Sequence, residues 1–192
     1  MNDSSEIKPS FKNRLEKKVG INLMPGDLFI AEKPQVIKTL LGSCISVVMH
    51  NKRTKVSTIS HAQLPNDGTT DMCTTHCPVK CYRNAPDINM FKYVTHSSHY
   101  MYKKLEGLGI RPDEIDVKLF GGSNVIDVLS DRKTIGTANI EKAHETLKRL
   151  SLRLKVEDTG GKQGRTIYLV SHNGDVFVRK HVKTDLKKEL EG

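Results

Sequence analysis

The sequence predicts an α+β fold: a layered single domain of mixed or antiparallel β-sheets flanked by helices. Three observations carry this. Short β-rich runs recur between turn signals. Two longer segments repeat apolar residues at intervals of three and four. The two kinds of segment do not alternate as βαβ units would, which argues against a doubly wound parallel sheet. At 192 residues the chain is long enough for one domain with a core of its own.

Taken in order, residues 1–18 read as a flexible or loosely helical leader, polar and without a full apolar face. From Val19 the pattern becomes strand-like: Val36-Ile37, Ile45 to Met49 and Val56 to Leu64 are short β-rich runs, broken at Gly42-Ser43 and Asn51-Lys52. Residues 66–87 are turn-rich, lack periodicity and read as a Cys-rich loop insert. Phe91, Val94, Ser98, Met101, Leu105 and Leu108 then predict a helix, with Asp87 as its cap and Gly107 or Gly109 as its stop. Ile115 to Phe120 reads as a buried strand ending at Gly121-Gly122. Ile140, Ala143, Leu147 and Leu150 predict a second helix, capped by Thr137 or Asn139. Three strands close the domain: Leu152 to Val156, Thr166 to Val170 and Val176 to Val182, the last two joined by an Asn173-Gly174 hairpin. The expected organisation is a leader at 1–18, a domain at 19–182 and a charged tail at 183–192.

Composition excludes several classes. No run approaches the ~18 apolar residues of a membrane span, and the first 18 residues hold no apolar stretch, so neither membrane insertion nor a secretory signal is expected. There is no internal repeat and no heptad array. GxGxxG and P-loop sequences are absent, and no cofactor is expected. The net charge of +9 comes from 31 Lys and Arg against 22 Asp and Glu. Both termini mix the signs, and no basic stripe is interleaved with aromatics. The charge therefore reads as a bias on association rather than a nucleic-acid footprint, and no nucleic-acid partner is expected.

The cysteines are Cys44, Cys73, Cys77 and Cys81. In the reducing compartment expected for the chain, free thiols, a metal or a catalytic role outrank disulfides. Cys44 ends LGSC, directly before ISVVMH. Gly42 and Ser43 allow a tight turn whose N–H groups can lower a thiol pKa and hold an oxyanion. A nucleophile at the mouth of a sheet and a buried structural thiol both fit this pattern. A thiol nucleophile needs a base. His61, in ISHAQLP, lies on the next predicted strand, where pairing would bring the two together; a hydrogen-bonded structural histidine fits as well. The other histidines (His50, His76, His96, His99, His144, His172 and His181) fall at loops, helix faces or strand ends.

Several segments together resemble the chemoreceptor glutamine deamidases of the CheD family. They are KTLLGSCISVVMHNKRTKVSTISHAQLP (38–65), KLFGGSNV (118–125), TIGTANIEKA (134–143), and VEDTGGKQGRTIYLV with the following NGDVFVRK (156–180). The resemblance runs from about Leu23 to about Lys180 and implies a cytoplasmic Cys-His hydrolase acting on glutamine side chains of chemoreceptor signalling helices. It carries the nucleophile onto Cys44, the general base onto His61 and a threonine before the nucleophile onto Thr39. It also implies docking to a CheC-type phosphatase, which leaves a non-catalytic adaptor as the alternative function. Gln63 departs from the family, which usually places an apolar residue there. The Gly121-Gly122 and Gly160-Gly161 pairs read as tight turns that let a substrate helix or another loop approach.

DMCTTHCPVKC places Cys73, His76, Cys77 and Cys81 within nine residues. Three thiols and an imidazole suffice for tetrahedral zinc, but the spacing is not that of a C-x2-C knuckle. The expectation is no metal, with this cluster as the alternative ligand set. A basic zinc-knuckle nucleic-acid binder is the third function considered, and it would bind with steep salt dependence.

Overall fold

A computed structural model describes residues 9–66, 88–124 and 134–181. The Cys73, His76, Cys77 and Cys81 cluster and the Asp87 cap lie outside the described residues. Helix α1 (Pro9–Glu16) leads into strands β1 (Val19–Asn22), β2 (Leu28–Ala31), β3 (Val36–Leu41), β4 (Ile45–Asn51) and β5 (Ser57–Ser60). Helix α2 (Val94–Gly107), strand β6 (Ile115–Gly121), helix α3 (Ile135–Arg149) and strands β7 (Leu154–Thr159), β8 (Arg165–Val170) and β9 (Asp175–Lys180) follow.

The strands form two sheets, ordered β1-β3-β8-β9 and β2-β5-β4-β6-β7. The β1–β3 and β6–β7 pairs are parallel and the rest antiparallel, so both sheets are mixed, as expected for an α+β domain. All seven residues of β4 are buried, because both of its faces are covered. Ile45, Val47 and Met49 pack with Val94, Met101 and Leu105 of α2 and with Ala143 and Leu147 of α3. Val48, on the other face, packs with Ile37, Leu41, Ile167 and Leu169 of the first sheet. The alternation follows from the two-residue period of a strand. The layers are thus sheet, sheet, helices.

Several element limits differ from those expected. Helix α2 begins at Val94, after a 3-10 turn over Ile88–Lys92 that carries Phe91, and its cap residue Tyr93 makes no side-chain cap bond. Its last turn closes through Gly109 (φ +72°), and Ile110, not the exposed Leu108, fills the core. Helix α3 is capped by Thr134, whose Oγ1 accepts the Thr137 N–H at 3.2 Å; neither Thr137 nor Asn139 is the cap. Leu152 belongs to no strand: its N–H closes onto Leu147 O and its side chain plugs the helix layer, so β7 starts two residues later than expected. The strand expected to reach Leu64 ends at Ser60. Beyond it only Ala62 pairs with Ile45, and Leu64 turns to bridge Tyr93. Residues 9–16 of the expected leader are helical, and Glu16 accepts a hydrogen bond from Tyr168 of β8.

Candidate active site

The LGSC turn joins β3 to β4 and so passes from one sheet to the other. Gly42 is half-buried, Ser43 exposed and Cys44 half-buried. Cys44 is a free thiol packed at the rim of the core between the sheets. Ile45 and Ala62 exchange both backbone hydrogen bonds at 2.8 Å. In such a pair, Cys44 and His61 flank the bonded residues on the opposite face, as diagonal neighbours with Cα atoms about 7–8 Å apart in regular ladders. The thiol and the imidazole therefore share one side of the sheet, the side that faces β3.

Thr39 reaches them from that strand. It is buried and points inward with Ile37 and Leu41. Its Oγ1 donates to Leu23 O at 2.7 Å and lies 2.7 Å from Nδ1 of His61. A hydroxyl has one proton. Since that proton is given to Leu23, the oxygen must accept from Nδ1–H, which leaves the lone pair of the neutral ring on Nε2. Nε2 is buried and has no hydrogen-bond partner among the described residues. The His61 backbone is held too: its N–H donates to Asp27 O at 2.9 Å and its carbonyl accepts from Gly26 N–H at 2.8 Å. Thr39 and His61 are thus joined by a hydrogen bond, and Cys44 lies on their side of the sheet without a hydrogen bond to the ring among the described residues.

Burial pushes the Cys44 thiol up from its ordinary value, and its own backbone N–H opposes this more weakly. Burial pushes His61 down, against the smaller pulls of the Leu23 carbonyl and the Asp27 carboxylate. Both shifts disfavour the ionised forms of the thiol and the imidazole. The backbone of the turn does lower the thiol pKa, but this is the smaller effect. Desolvation at the core rim outweighs the backbone dipoles.

The two Gly-rich loops prove to be a platform under the Cys44 turn. Gly122 N–H donates to Cys44 O at 2.7 Å and Ser123 N–H to Gly42 O at 2.8 Å. A Cβ on Gly121 would lie 2.2 Å from Cys44 O, so the missing side chain admits the loop that carries Cys44. Gly160 N–H donates to Gly121 O and Asn124 N–H to Gly161 O, each at 2.8 Å, which joins the second Gly pair to the first. Among the described residues, the N–H groups of Gly42 and Ser43 have no backbone partner and remain available as donors.

Two residues of the platform escape a reading of spacing. Arg165, only 2% exposed, bonds to the carbonyl and carboxylate of Asp158, to Gly160 O and, at 2.9 Å, to Ser123 Oγ. Asn139, fully buried on α3, donates at 2.9 Å to both Ser43 O and Gln63 O. The sequence signal for Asn139 is a polar residue inside an amphipathic pattern, where a solvent face or a cap is the usual meaning, and Arg165 falls one residue before the strand expected from Thr166. Among the described residues no group of three His, Cys, Asp or Glu side chains is arranged to hold a metal, and no helix is long and apolar enough to cross a membrane.

A family model described as CheD chemotactic sensory transduction matches residues 78–180. A protein of Geobacter sulfurreducens named probable chemoreceptor glutamine deamidase CheD 2 is 32% identical over 165 residues, covering 86% of this chain and 92% of the relative. Proteins named probable chemoreceptor glutamine deamidase CheD are similar as well. That of Methanococcus maripaludis is 34% identical over 81% of this chain and 91% of its own length. That of Thermococcus kodakarensis is 35% identical over 86% and 93%.

Proposed function

The chain belongs to the CheD chemotactic sensory transduction family, and from that premise we propose that it deamidates glutamine side chains of chemoreceptors through Cys44 and His61. The observation that carries the chemistry is the Thr39–His61 hydrogen bond of 2.7 Å, which puts the ring's lone pair on Nε2, on the side of the sheet that Cys44 occupies.

The reaction then runs in two halves. His61 Nε2 takes the Sγ proton as the sulfur attacks the carboxamide carbon, and the carbonyl oxygen becomes an oxyanion. The N–H groups of Gly42 and Ser43 are the donors that hold it. Collapse breaks the C–N bond; the imidazolium returns its proton to the nitrogen, and ammonia leaves a thioester on Cys44. Water attacks that thioester while His61 takes its proton. The second collapse breaks the C–S bond, the thiol is reprotonated and the side chain leaves as glutamate. The balance is carboxamide plus water giving carboxylic acid plus ammonia. Thr39 acts through His61 by fixing its tautomer and ring orientation.

The substrate segment is a cytoplasmic signalling helix of a chemoreceptor, which sets the cytoplasm as the place of action. A CheC-type phosphatase is the further partner; family membership supports it, and co-purification of the two chains tests it. The main test is mass spectrometry of a receptor cytoplasmic fragment after incubation with the protein. A glutamine peptide should gain about one dalton with wild type and none with Cys44→Ala, the thioester route being closed. An unchanged peptide with wild type, or a shifted one with Cys44→Ala, overturns the proposal.

A further inference from the structure

Asn139 is placed where a polar side chain is hardest to explain by stability. It sits in the interior of α3, fully buried, and asparagine is a poor helix former. Its Oδ1 has no hydrogen-bond partner among the described residues, which is unfavourable in a packed interior. Its Nδ2, by contrast, uses both protons, each at 2.9 Å, on Ser43 O and Gln63 O. These carbonyls lie 96 and 76 residues away in sequence. They are not arbitrary. Ser43 precedes the thiol residue. Gln63 lies directly opposite Cys44 in the register set by Ile45 and Ala62, and two residues beyond His61.

The ladder stops at the Ile45–Ala62 pair. The Leu64 N–H turns away to Lys92 O, so no further backbone bond joins the Cys44 strand to the His61 strand there. The Asn139 amide takes the place of the next rung. The backbone around it leaves no slack: a Cβ on Gly136, one turn earlier on α3, would lie 2.5 Å from Gly122 O, in the loop that also holds Cys44 O.

We propose that Asn139 is a positioning residue: its carboxamide clamps the Cys44 strand to the His61 strand and so sets the separation of the sulfur and the ring nitrogen. This rests on the reading of Cys44 and His61 as the reacting pair. A displacement of about 1 Å at such a pair lowers turnover by roughly 10²-fold. Substrate binding does not involve the buried amide, so the loss falls on kcat.

The experiment compares Asn139→Asp, which keeps the shape and loses both donors, with Asn139→Ala, Thr146→Val and Cys44→Ala. Thr146 is a buried residue of the same helix whose hydroxyl donates to Lys142 O. Turnover of the receptor fragment is read per folded molecule, from the far-UV signal at the assay temperature, together with KM and the pH dependence of Cys44 alkylation by iodoacetamide. Both Asn139 variants should lose roughly 10²-fold in kcat with KM little changed. Thr146→Val should lower thermal stability without lowering kcat. The alkylation profile should move toward that of an isolated thiol in the Asn139 variants and stay put in Thr146→Val. A wild-type kcat in Asn139→Asp overturns the clamp while Cys44→Ala, still inactive, leaves the reacting pair intact. If Asn139→Asp does not fold, the kcat of Asn139→Ala decides the matter in the same way. Turnover by Cys44→Ala overturns the reading beneath it.

Discussion

Thr39 Oγ1, on one sheet, lies 2.7 Å from Nδ1 of His61, which extends a strand of the other. The candidate site is therefore a joint between two layers rather than a feature of one. Its chemistry depends on how the sandwich closes.

Replacing Thr39 with Val should remove the acceptor for Nδ1–H and leave the buried Leu23 carbonyl without its partner. The unpaired group costs about 1–3 kcal/mol of stability, and the freed ring should lower kcat by roughly 10–100-fold. Thr39→Ser keeps the hydroxyl and should retain most of the rate. Urea unfolding and turnover on the same preparations check both effects, and equal losses in Val and Ser would discount the hydroxyl.

Cys44→Ser should abolish turnover while leaving the fold in place, because the thiol is half-buried and makes no disulfide. The less acidic, less nucleophilic hydroxyl beside a neutral imidazole should reduce kcat by at least about 10³-fold. The midpoint of thermal unfolding should move by only a few degrees, roughly the shift of a 1 kcal/mol change.

The pH dependence follows from burial. His61 is held below the ordinary imidazole value of 6.5, so its base form survives on mild acidification, and the acid limb of kcat/KM should lie below pH 6.5. Burial holds the Cys44 thiol above 9.0, so alkylation in the His61→Ala protein should still be rising at pH 9.0 rather than levelling off below it. Stability carries the same sign. Burial also lowers His50 and His99. The unfolded chain takes up protons through about pH 6.5 that the folded chain refuses, so stability is full above that value and falls as pH drops below it. Urea unfolding at about pH 7.5 and about pH 5 measures this, and a gain on acidification would contradict it.

Gly121→Ala should be far worse than Gly161→Ala, although both glycines have positive φ, at +106° and +75°. The first would push a Cβ to 2.2 Å from Cys44 O, and the second meets nothing within 4 Å. Gly161→Ala carries only the backbone penalty of about 1–2 kcal/mol. Gly121→Ala adds displacement of the Cys44 turn, so it should lose activity as well as stability. Thermal melts and turnover of the pair separate the two effects.

Arg165→Ala should be among the most damaging substitutions apart from those at Cys44 and His61. The guanidinium ties Asp158 of β7 and Gly160 of the loop after it to Ser123 of the other glycine loop. Removing it strands these partners and should cost about 3–5 kcal/mol. Arg165→Lys should rescue little, because an ammonium cannot reproduce the fork. Denaturant titration of both variants checks this.

The sequence by itself carried the fold class, most strands and helices, the Asn173-Gly174 hairpin and the pairing of the LGSC strand with the next one. These rest on interactions between near neighbours: periodicity, turn residues and a short antiparallel connection. The limits of α2 and α3 moved because a 3-10 turn and a cap at Thr134 won over the apolar pattern. Only the tertiary structure decided that Thr39 meets His61 across two sheets, that Asn139 grips both strands and that Arg165 joins two glycine loops. It also decided that burial holds the thiol above its ordinary pKa. Each of these depends on which distant surfaces exclude water from one another, and no local spacing encodes that.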